Sequence, residues 1–136
     1  MRNINKIIVH CSATPEGKAF SVDDIRRWHL KRGFADIGYH FVIYLDGSVN
    51  VGRPLAKAGA HCKGYNAHSI GVCYIGGVAT DGKTPKDTRT EAQKRSLVRL
   101  ITELRQQFPN ASVHGHREFA NKACPSFNAR DEYKDL

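Results

Sequence analysis

No stretch of this 136-residue chain approaches the roughly 20 consecutive apolar residues that cross a bilayer, so a membrane-spanning helix is excluded from the reading. Behind Met1 the polar residues Asn3, Asn5 and Lys6 interrupt any apolar run. A secretory signal is therefore not expected, and synthesis in the cytoplasm is. Internal repeats, low-complexity tracts and linkers are missing too, which leaves one domain over residues 1–136. The HExxH pattern of helix-borne zinc sites does not occur. Acidic residues are in deficit, 13 against 21 Lys and Arg, for a net charge of +8. Such a balance favours an anionic partner such as nucleic acid, a membrane surface or a wall polymer. Basic and aromatic residues do not interleave in a stripe, so a nucleic-acid partner is not expected.

The remaining composition is that of a globular α/β chain. Ile4–His10 is a short apolar run that reads as a buried strand with His10 at its C-terminal end. Cys11–Phe20, with Pro15 and Gly17, reads as a loop. Ser21 opens a helix to Arg32, with Asp24 in the third position of a capping box and Val22, Ile25 and Trp28 on one apolar face. Ile37–Leu45 is β-branched and aromatic, Asp46-Gly47 is a hairpin turn, and Ser48–Gly52 is the returning strand. Arg53–Asn66 lacks periodicity and reads as an irregular connection; Ser69–Gly77 is a further buried strand. Thr90–Phe108 carries a capping box (Thr90, Gln93) and the stripe Leu97, Leu100, Ile101, Leu104, Phe108. Ala111–His114 is a short strand. The expectation is a single-domain central mixed sheet of about five strands, flanked by the two helices, with a site at the strand ends.

Four cysteines in a chain without a signal read as reduced thiols, with Cys73 a core residue. One of them, Cys124, lies near His114, His116 and Lys122. Imidazole and thiolate together are zinc chemistry, and three such ligands leave the fourth tetrahedral position open for catalysis. Four candidates compete for three places: His10, His114, His116 and Cys124. On a strand His114 and His116 share a face, so both are open at this level. Zinc in such a site lowers the pKa of bound water toward neutrality, and the developing oxyanion needs further donors. Lys122 and Tyr39 are the candidates; Glu118 reads as a surface or salt-bridged residue.

Seven segments resemble the type 2 N-acetylmuramoyl-L-alanine amidases, in the same order along the chain: VHCSAT (Val9–Thr14), IRRWH (Ile25–His29), GYHF (Gly38–Phe41), DGSV (Asp46–Val49), KGYN (Lys63–Asn66), SIGVC (Ser69–Cys73) and KACPSF (Lys122–Phe127). The resemblance implies one zinc ion held by His10, His116 and Cys124, with His114 outside the set. It implies Tyr39 and Lys122 as catalytic residues and His61 and Asn66 as residues lining the substrate groove. The implied reaction cuts the amide between the lactyl group of N-acetylmuramic acid and L-alanine of the peptidoglycan stem peptide. Binding-only relatives lose the cysteine ligand, which is present here. A missing signal fits a phage or prophage endolysin, made in the cytoplasm and acting on the cell wall after release, as a monomer. An RNA polymerase enters as a second candidate partner, because a phage member of the family binds one partly through its N-terminal region. The stretch before the first strand is shorter here, which speaks against that partner.

Overall fold

A computed structural model describes residues 2–136. The strands are β1 (Lys6–Cys11), β2 (Thr14–Pro15), β3 (Phe41–Ile43), β4 (Val49–Val51), β5 (Ser69–Tyr74), β6 (Gly77–Val78) and β7 (Ser112–Gly115); the helices are α1 (Val22–Lys31), α2 (Glu91–Gln107) and α3 (Ala129–Tyr133). Five strands form the central sheet in the order β4-β3-β5-β1-β7, and β2 and β6 make a small second sheet. The β3–β4 hairpin is antiparallel, while β3, β5, β1 and β7 run parallel, so the sheet is mixed as expected. Parallel strands need crossovers, and the long connections supply them.

Alternation along the strands divides the core into two layers. Ile7, Val9 and Cys11 of β1, with Ile70, Val72 and Tyr74 of β5, pack under Leu97, Leu100, Ile101 and Leu104 of α2. The other face meets α1 through Val22, Ile25, Ile37, Val42 and Ile75. The starts of α1 and α2 are each held by a complete capping box. Ser21 Oγ accepts from Asp24 N at 3.2 Å and Asp24 Oδ2 from Ser21 N at 2.8 Å, so aspartate serves as well as glutamate here. Thr90 Oγ1 accepts from Gln93 N at 3.0 Å and Gln93 Oε1 from Thr90 N at 2.9 Å. The Gln93 amide also donates to the carbonyls of Ile43 and Ile75, which fixes α2 to two strand ends.

Three segments differ from the sequence reading. The strand expected over Ile37–Leu45 is confined to Phe41–Ile43. Before it, the backbone of residues 59–60 crosses so closely that a Cβ on Gly38 would lie 2.2 Å from the Ala60 carbonyl oxygen. Ala60 N donates to Gly38 O at 3.1 Å, so a loop takes the place of a strand partner. The loop read over Cys11–Phe20 contains β2, and residues after Phe127 form α3, which no periodic pattern announced. The irregular stretch 53–68 owes its shape to polar ties. Arg53 donates to the carbonyls of Asp36, Ile37 and Ala58, and Arg2 to those of Leu55, Asn66, Ala67 and Ser69.

Candidate metal centre

His10 sits near the C-terminal end of β1 on the face away from α2, and it is fully buried. β1 and β7 are parallel neighbours with Val9 opposite Gly115, so the next residues along, His10 and His116, fall at the same level. Their rings lie 4.5 Å apart between centroids. His114 is opposite Ile8, two residues further back, or roughly 6.6 Å along the strand. It is engaged there by Ser112 Oγ at 2.7 Å and Glu118 Oε1 at 3.0 Å. The register thus separates the two histidines that sequence spacing left in competition. Glu118 does more than face solvent: its Oε2 accepts from Gly115 N at 2.7 Å and caps the short turn that carries His116.

Cys124 comes from the loop after that turn. Tyr74 donates to the Pro125 carbonyl at 2.6 Å, Arg117 N to the Cys124 carbonyl at 2.8 Å, and Ser126 Oγ to the Gly77 carbonyl at 2.9 Å. These bonds hold the Cys124 thiol against the end of β1, where it accepts from Cys11 N at 3.2 Å. One donor atom each from His10, His116 and Cys124 lie within 4.8 Å of one another. Cys124 Sγ is 3.9 Å from His10 Nδ1, close to the roughly 3.6 Å that ordinary Zn–S and Zn–N lengths give at a tetrahedral angle. Burial, then the neighbouring His61, His116 and Lys122, hold His10 well below the usual histidine range; burial and Lys122 lower His116. Both imidazoles are therefore neutral near pH 7, the form in which they ligate a metal. Two neutral imidazoles and a thiol fit zinc by donor type, count and spacing.

Around the three donors the chain places the other expected residues. The Tyr39 ring lies 5.1 Å from the His10 ring and 5.3 Å from that of His29. His29 is buried and accepts from Gly38 N at 2.8 Å, so it braces the backbone that carries Tyr39. Burial raises the Tyr39 phenol well above its ordinary value, so the hydroxyl stays a hydrogen-bond donor. Lys122 is exposed and, with His116, His61, Asn66, Phe34 and Phe119, lines a groove of about 470 Å³. His61 and Asn66 both reach this groove, with both ring nitrogens of His61 and the Oδ1 of Asn66 already engaged. His61 Nδ1 is 2.8 Å from His10 Nε2, and its Nε2 is 3.1 Å from Ser69 Oγ. Asn66 Oδ1 accepts from the backbone N–H groups of His61 and Cys62 at 2.9 and 3.0 Å. Burial, then His40 and His116, push His61 down to about 3, so it too is neutral.

Cys73 is wholly buried, as expected of a core residue, and Cys11 and Cys62 are buried free thiols. Sequence reasoning missed Ser69 and the Cys11 amide as parts of this site. Neither carries a local signal, because each acts through a contact across more than a strand's length of chain or through backbone alone. Among the described residues no helix is long and apolar enough to cross a membrane.

Comparison with known proteins agrees with this architecture. The N-acetylmuramoyl-L-alanine amidase family model matches residues 1–127. The endolysin of Escherichia phage T7 is 45% identical over 124 residues, 91% of this chain and 82% of the relative. The endolysin of Klebsiella phage KP32 is 44% identical over 126 residues, covering 93% and 83%. Among solved structures, the N-acetylmuramoyl-L-alanine amidase LysC from Clostridium intestinale superposes with a TM-score of 0.82 at 28% identity, over 96% of this chain and 82% of that one. With a family match over nearly its whole length and a sheet, groove and donor set to go with it, the chain belongs to the N-acetylmuramoyl-L-alanine amidase family.

Proposed function

We propose that residues 1–136 form a zinc-dependent amidase domain that hydrolyses the bond between the lactyl group of N-acetylmuramic acid and L-alanine of the stem peptide, as an endolysin does in lysing the cell wall. The observation that carries this reading is the meeting of His10, His116 and Cys124, in a member of an amidase family, beside an open groove. One zinc ion per chain would be held by His10 Nδ1, His116 and Cys124 Sγ, where it would supply Lewis acidity toward the scissile carbonyl. The polypeptide supplies the rest. Tyr39, with its hydroxyl kept protonated, donates to the carbonyl oxygen as negative charge develops there. Lys122 places a cation at the groove wall beside His116 and stabilises the same charge. The groove, with Asn66 in its wall, takes the peptidoglycan strand. The net charge of +8 draws the protein toward an anionic wall.

Mass spectrometry of purified peptidoglycan, incubated with zinc-loaded protein and with a chelated control, tests the proposal. Free stem peptides beginning at L-alanine should appear only with the metal form, and C124S should abolish them. Intact muropeptides from folded, zinc-bound protein would instead leave a peptidoglycan-binding module. Wild-type cleavage by C124S would sink the assigned ligand set.

A further inference from the structure

The buried string His10–His61–Ser69 has no assigned task beyond the groove wall, and its geometry is specific. His10 Nδ1 faces Cys124 while the other ring nitrogen, Nε2, lies 2.8 Å from His61 Nδ1. The far nitrogen of His61 lies 3.1 Å from Ser69 Oγ. The string spans 51 residues from β1 to the 53–68 loop and returns to the first residue of β5. All three residues are buried, with Ser69 at 0% exposure. The ring of His61 is also enclosed: Cβ atoms on Gly59 and Gly71 would each come within 2.7 Å of it. From behind, Asn66 Oδ1 holds the backbone N–H of His61.

Only one proton arrangement of this string offers His10 to a cation. A neutral imidazole ligates through its bare nitrogen, so a ligating Nδ1 requires the proton on Nε2. His10 Nε2–H then donates to His61 Nδ1, and His61 Nε2–H donates to Ser69 Oγ. The reverse setting, with Ser69 donating, puts a proton on His10 Nδ1 and closes that ligand. We propose that His61 is a positioning residue for the metal centre: by accepting from His10 Nε2–H inside a slot shaped by Gly59 and Gly71, it fixes the tautomer and ring direction of the His10 ligand. Ser69 and Asn66 hold His61 in turn. The inference rests on the zinc amidase reading and assigns His61 to the metal instead of the substrate.

Zinc affinity, measured without peptidoglycan by competition with a chromophoric chelator, tests it independently of cleavage. H61L removes the acceptor at similar volume and should weaken zinc binding by roughly 10- to 100-fold. H61N places a side-chain carbonyl oxygen near the position of Nδ1 and should recover most of that loss. Should H61L fail to fold, long-range proton–nitrogen correlation of the zinc-loaded wild type gives the same answer, with the His10 proton on Nε2. Wild-type zinc affinity in H61L, a His10 proton on Nδ1 in the zinc form, or an unchanged zinc Kd with a raised KM would each overturn the proposal. A wild type that binds no zinc would remove the amidase reading along with it.

Discussion

Gly71→Ala turns the enclosure of His61 into a measurable penalty. The added Cβ would lie 2.7 Å from Cγ and Cδ2 of His61 and 2.9 Å from Nδ1. Carbon atoms pack at about 3.5 Å or more, so the ring must retreat by about 0.8 Å. Gly59 abuts the same ring, and His10 and Ser69 hold its two nitrogens at 2.8 and 3.1 Å. A retreat of that size along the bond to His10 stretches it to about 3.6 Å, outside hydrogen-bond range. Overpacking costs about 1–3 kcal/mol and a lost buried hydrogen bond about 1 kcal/mol more. Together they predict a destabilisation of about 2–4 kcal/mol, or a fall in Tm of about 8–16 °C for a chain of this size. Calorimetry of the two proteins measures this, and zinc competition on the same samples should show weaker binding by the variant. A variant melting within about 2 °C of wild type, with equal zinc affinity, would refute the reasoning: the ring would then have room that the geometry denies it.

Tyr39→Phe and Lys122→Met should each lower kcat by roughly 10²–10³ while leaving zinc affinity intact, since each removes a donor to developing charge and no metal ligand; a wild-type kcat in either would remove that residue from the mechanism. Arg89 is buried, donates to Asp87, Glu132 and Tyr133, and stacks 3.4 Å from the Phe127 ring centre, so Arg89→Met should cost about 2–4 kcal/mol. The Arg89 hydrogen bond holds Glu132 below its ordinary value; burial raises Asp87, but Arg89 outweighs it and leaves that carboxyl lowered as well. Folded values below the unfolded ones mean stability that is present above about pH 4 and lost as pH falls through the folded values. The gap in Tm between wild type and Arg89→Met should therefore narrow between about pH 5 and pH 3. A gap that stays constant over that range would show that the network contributes by packing alone.

What could be read from the sequence was whatever local chemistry decides. Both capping boxes, the hairpin turn and the α2 stripe were legible because their partners lie within a few residues. The donor types at the site were legible as well, since two imidazoles and a thiol have few other uses together. Long-range backbone contact was not. The approach of residues 59–60 that ends the strand before Phe41, and the arginines that shape the 53–68 loop, join positions up to 67 residues apart. No window of sequence displays such a partner. Asp24 shows the smaller limit of a rule: its carboxylate reaches the Ser21 amide at 2.8 Å, so the box closes with a shorter side chain than the pattern prefers.

The choice between His114 and His116 shows where the missing information resides. Residue type could not separate them, and neither could the period of a strand, which puts both on one face. The resemblance to a family decided it without giving a reason. The reason is the register of two parallel strands: Val9 lies opposite Gly115, so His10 meets residue 116 and misses residue 114 by a two-residue step. Parallel neighbours deliver their C-terminal ends to the same edge, so one register brings together imidazoles 106 positions apart in the numbering, and the loop pinned by Tyr74 needs only to bring Cys124 back beside them. Register is itself set by which faces must be buried. Ile7 and Val9 belong to the α2 layer together with Val113, and slipping β7 by one residue would turn Val113 out of that layer and His114 into it. The core that pairs these strands is therefore also what selects His116 over His114 as the neighbour of His10.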